Sequence, residues 1–128
     1  MKTPKLIGTY KLGLENVRIF VSTGDEGATA YLKPNDGGCM KIVVQMETKS
    51  FDVSVSSLLH ELVEVSLHRA RLGYYHSCDV STSVSGFLFV MDHEQMNSVC
   101  YEVAPVMCDC MEKFRAAWDK INKVKTKK

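Results

Sequence analysis

His60-Glu61-x-x-Glu64 is the stretch of this sequence whose residue types and spacing could do chemistry. An imidazole and a carboxylate four residues apart stand one turn above each other on a helix, so both can grip one ion. The spacing is that of the zincin motif H-E-x-x-H, with a glutamate where the second histidine would be. Glu61 would lean over the same ion and hold a water. As general base it would take the proton from that water during attack on a carbonyl. A third ligand would complete a tetrahedral zinc site with one open position. His68 cannot supply it, because eight residues of helix put it about 12 Å from His60 along the axis. His93 stands where an apolar run ends and a later helix begins, a junction that can be aimed back at a neighbouring helix. The expected metal ligands are therefore His60, Glu64 and His93, with His76, Cys78, Asp79, Glu94 and Glu102 as alternatives for the third. The competing reading is plain: glutamate and histidine are ordinary residues for the solvated face of a helix, and His93 for a helix start beside Asp92.

The motif needs a helix to position it. Ser57, His60, Glu61, Glu64, His68 and Arg71 share one side at 3.6 residues per turn, while Leu58, Leu59, Leu62, Val63 and Ala70 cover much of the rest. That pattern predicts a helix buried over most of its circumference. Ser54 or Ser56 is the expected N-cap, Leu72 the last residue and Gly73 the stop.

Before the motif the chain alternates with period two. Tyr10, Leu12 and Leu14, then Val17, Ile19 and Val21, then Ala28, Ala30 and Leu32, then Met40, Ile42, Val44 and Met46 each supply one apolar face. Turn chemistry separates them at Glu15-Asn16, Gly24–Gly27 and Pro34–Gly38. The expectation is an antiparallel meander of three or four strands joined by hairpins. After the motif, residues 74–85 read as a polar, serine-rich loop, and Gly86–Met91 as a short strand. Asp92 then caps a long helix. Its stripe runs through Met96, Val99, Cys100, Val103, Val106, Met107, Cys110, Met111, Phe114, Trp118 and Ile121, with a kink expected at Pro105.

A chain of 128 residues, 45% hydrophobic and 24% charged, fits one domain with a real core. No apolar run reaches the length of a membrane span and no signal peptide opens the sequence, so membrane association is not expected and the cytoplasm is. Five cysteines without C-x-x-C spacing read as reduced, small apolar residues. From Lys113 onward seven basic residues face one acid, leaving nine basic and fourteen acidic residues in the rest. The basic end reads as a solvated helix terminus rather than a nucleic-acid contact, since no aromatic residue follows Trp118.

Leu58-Leu59-His60-Glu61-Leu62-Val63-Glu64 followed by Phe89-Val90-Met91-Asp92-His93-Glu94-Gln95-Met96 resembles a family of small phage and prophage proteins. In that family an L-H-E-x-x-E helix precedes an F-x-F-x-H-x-x-F segment and a last helix ending near A-x-W, here Arg115-Ala116-Ala117-Trp118. The resemblance covers residues 40–118. More distantly, a small sheet leading into an H-E-x-x helix is similar to minimal zincin-like metallopeptidases. It implies a viral origin, the host cytoplasm and a zincin-like fold. Zincins of known activity mostly keep histidine at the position of Glu64, so this chain departs from their ligand pattern.

Together these readings predict an α+β domain over residues 1–121 with a basic tail at 122–128. The domain would hold an N-terminal antiparallel sheet, the motif helix, a short strand and a long C-terminal helix. The expected function is a phage-encoded, zinc-dependent hydrolase with a host or phage protein as substrate. The alternative is a non-catalytic binding protein on the same scaffold, acting by occluding a host protein or by assembling with itself.

Overall fold

The computed structural model describes residues 3–23, 29–32, 40–69, 73–75, 87–89 and 92–126. Its first hairpin turns on a glycine. Strands β1 (Lys5–Leu12) and β2 (Glu15–Ser22) pair antiparallel with Leu12 opposite Glu15, leaving a two-residue loop at Gly13-Leu14. Gly13 has φ 63°, the left-handed conformation a tight hairpin needs at its first central residue. The turn thus falls two residues before the Glu15-Asn16 expected for it. Leu14 is exposed in the loop instead of continuing the buried alternation.

Strands β3 (Thr29–Leu32) and β4 (Met40–Gln45) complete a four-stranded sheet in the order β1-β2-β4-β3. The strand count matches the upper expectation, but the connectivity is not a simple meander. β4 lies parallel to β2 and antiparallel to β3, so the sheet is mixed. Burial explains the arrangement. Ile42, Val43 and Val44 are all buried, a consecutive apolar run suited to an interior strand flanked on both sides. The four-residue β3 takes the edge, where short strands belong. The turn signals at Gly24–Gly27 and Pro34–Gly38 lie outside the described residues.

Val17, Ile19, Val21, Ile42, Val44 and Met46 point to one face, where two helices cover them. Helix α1 (Phe51–Arg69) contacts β4 and β3, and helix α2 (His93–Thr126) contacts β1. The opposite face is amphipathic: Arg18, Phe20, Lys41 and Gln45 are half-buried, with the Lys41 ammonium 4.5 Å from the Phe20 ring centre. Gly8 has a packing role as well, because a side chain there would run into the Tyr10 ring lying over it.

Helix α1 begins at Phe51, one turn before the expected caps. Tertiary contacts hold that extra turn. The Phe51 ring packs 5.8 Å from Phe114 and 5.9 Å from Trp118, with Arg115 over its face. Ser54 is not a cap but a buried tie, donating to the Gln45 carbonyl at the end of β4 and pairing with Thr48. Trp118 Nε1 donates to the same Thr48 hydroxyl. The described helix ends at Arg69, and Ala70–Leu72 lie outside the described residues. Gly73 opens β5 (Gly73–Tyr75), which pairs antiparallel with β6 (Phe87–Phe89). The expected short strand at 86–91 is present as β6, and β5 is a strand that a polar reading of residue 74 onward did not anticipate.

Asp92 caps α2 as expected, through a reciprocal box: Gln95 N–H donates to Asp92 Oδ1, and Asp92 N–H to Gln95 Oε1, both at 2.8 Å. The helix runs through Pro105 without interruption. Val99, Val103, Val106, Cys110 and Phe114 form its buried stripe, while Met96 and Cys100 are exposed. The body also reaches past residue 121: Asn122 Nδ2 donates to the Met46 carbonyl at 2.8 Å. No described helix is long and apolar enough to cross a membrane.

Candidate metal centre

The geometry of the site is set by α1 turning its Ser54-Leu58-Leu62 side into the core, which leaves His60 pointing the opposite way. The His60 side chain is 71% exposed and Glu64 28% exposed, and their Nε2 and Oε2 atoms lie 3.1 Å apart. Two bonds of about 2 Å at a tetrahedral angle set donor atoms about 3–3.5 Å apart, so this pair already has the spacing of two ligands on one ion. Glu61 occupies the border between core and solvent and is only 9% exposed. One donor atom from each of His60, Glu61 and Glu64 lies within 4.8 Å of the other two. These three residues form a group able to hold a metal ion.

Glu61 is the unusual member. Burial raises its pKa above the ordinary carboxylate value, the nearby Glu64 carboxylate raises it further, and His60 pulls it down. Among the described residues no hydrogen bond or ion pair reaches its carboxylate. Beside it, the donor set of one imidazole and a second carboxylate suits a divalent transition metal.

The other candidates among the described residues fall elsewhere. His93 and Glu94 are exposed on the first turn of α2. The helices run antiparallel, since Phe51 is level with Phe114 and Trp118 while Ser66 donates to Glu102 at 2.6 Å. His60 is then level with the region near residue 107, and at 1.5 Å per residue His93 lies roughly 20 Å farther along the axis. His93 accordingly stands outside the group, and Glu102 is engaged by Ser66. His76, Cys78 and Asp79 lie outside the described residues, as does the side chain of His68.

Two open grooves flank His60. One, of about 410 Å³, is bordered by Ser56, Leu59, Val63, Glu64 and Leu67; the other, of about 370 Å³, by Ser56, Ser57 and Glu61. Leu59 is 43% exposed, not buried as the motif helix pattern predicts. Its recurrence with Val63 and Leu67 at four-residue spacing was the available signal for an apolar ridge beside the motif. Compared with models of protein families, with curated proteins and with solved structures, the chain matches none.

Proposed function

We propose that the chain is a zincin-like, metal-dependent hydrolase of phage origin acting on a host or phage protein. The observation that carries this reading is the gathering of one donor atom each from His60, Glu61 and Glu64 within 4.8 Å of one another, with the His60–Glu64 pair at ligand spacing. A bound divalent ion would supply an acidified water and polarise the scissile carbonyl. His60 and Glu64 would hold the ion from adjacent turns, with the open side of the helix facing the substrate, and Glu61 would be the group that takes and returns the proton. His93 takes no part in this ligand set.

The test is cleavage of a broad peptide mixture by the zinc-loaded chain, read by mass spectrometry. New termini should appear with the native protein and vanish with Glu61→Gln, which keeps the ligands but cannot take a proton. Zinc bound without cleavage of any peptide would sink the hydrolase reading. A second reading, the non-catalytic binding protein, draws on one observation. His60 is largely exposed and His93 lies far along the fold, so the described ligands come from a single helix on an open surface. That reading predicts a stable complex with an intact partner protein.

A further inference from the structure

We propose that this metal site is closed by a second copy of the chain, one ion joining two α1 helices in a resting dimer. The inference rests on the metal reading above and concerns the regulation of that site. Its starting point is valence. Zinc in a closed site takes four protein donors, whereas each chain offers His60 and Glu64 as ligands, with Glu61 beside them kept as the base of the reading above. His93 is out of reach along α2.

The outer face of α1 is self-complementary. In a twofold pairing each contact occurs twice, residue i against j and j against i. Two copies of α1 crossing antiparallel about an axis between residues 60 and 64 set His60 of one chain opposite the partner's Glu64, and the reverse. Imidazole then faces carboxylate on both sides. The four donors make an N₂O₂ set around one ion, with no position left for water. The flanks suit the same arrangement. Exposed Leu59 and half-buried Val63 border the pair on the side away from Glu61, and the 410 Å³ groove beside them can seat the partner's Leu59. Ser56 is small and lines both grooves, which lets a second helix approach closely.

The dimer has a characteristic response to metal. One ion per two chains satisfies both copies and closes the site. When ions exceed chains, each copy holds its own ion, the bridge dissolves and an open coordination position returns. Scarce metal thus stores the protein in the closed form, and abundant metal releases the open one.

Sedimentation velocity of the chelator-stripped full chain, with zinc chloride added in steps, reads this directly. The mass should rise from 14.4 kDa to twice that near half an equivalent of zinc and fall back when zinc is in several-fold excess. His60→Ala and Glu64→Ala should remain monomeric at every ratio. Leu59→Lys should remain monomeric yet still take up one zinc per chain, measured by competition with a chromophoric chelator. Zinc uptake by the native chain with no change of mass would overturn the dimer and leave the metal reading intact. Absence of zinc uptake would overturn both. A dimer that survives His60→Ala, or one that only grows as zinc increases, would show an interface elsewhere and overturn the bridge.

Discussion

Glu61 is the residue on which the proposed chemistry depends. The residue is only 9% exposed at the rim of the core, and its pKa is raised chiefly by burial and then by Glu64. The folded chain therefore holds the Glu61 proton more tightly than the unfolded chain does. The stabilisation from this is complete below the ordinary carboxylate range and is lost as pH rises through the raised folded value. Glu61→Gln carries no such dependence at this position. In the metal-free protein, the melting temperatures of native and Glu61→Gln chains should agree near the acid end of that range, and the variant should gain the advantage as pH approaches neutrality. Parallel curves across the whole range would show that Glu61 is solvated after all. At this scale the sequence was informative where geometry is local. The His60–Glu64 separation follows from helix pitch alone and was legible in the four-residue spacing. The burial of Glu61 was not, because it depends on where the core's edge falls beneath the helix.

Among the elements, the strands were readable wherever one face alternates, as in Val17, Ile19 and Val21. What alternation could not convey was order. The run Ile42-Val43-Val44 carried the signal for an interior strand, yet only pairing shows that β4 inserts between β2 and β3. The start of α1 was misplaced for a related reason: Phe51 is helical because of Phe114 and Trp118, more than sixty residues away in sequence. That His93 stands apart from the His60 group was hidden on the same ground, since the antiparallel register of α1 and α2 is not written in either helix alone. The end of α2 offers a sharp test of its own. Removing residues 123–128 should change stability by less than about 0.5 kcal/mol, as surface changes do. Removing Asn122 as well should cost a further 0.5–1.5 kcal/mol or so, through loss of its hydrogen bond to the Met46 carbonyl. Urea unfolding followed by Trp118 fluorescence resolves the two steps. A large loss on the first truncation would mean that the basic end is docked.

Across the whole molecule, one apolar layer joins the sheet to both helices, and Phe114 sits within it fully buried. Phe114→Ala should cost about 3–5 kcal/mol, the usual loss for an aromatic ring removed from a core. A loss below about 1 kcal/mol in urea unfolding would contradict that placement. The same layer explains why the candidate site is exposed. Leu58 and Leu62 commit one side of α1 to the sheet, so His60 and Glu64 must face outward. Fold class was thus legible from periodicity, while the open character of the site emerges only when the layers are assembled. Isothermal titration of zinc into the chelator-stripped chain tests most directly whether His60 and Glu64 together bind a divalent metal. The native protein should bind zinc, Glu61→Gln should retain binding, and His60→Ala and Glu64→Ala should each abolish it. Zinc affinity that is absent from the native chain, or unchanged in both alanine variants, would contradict the metal reading.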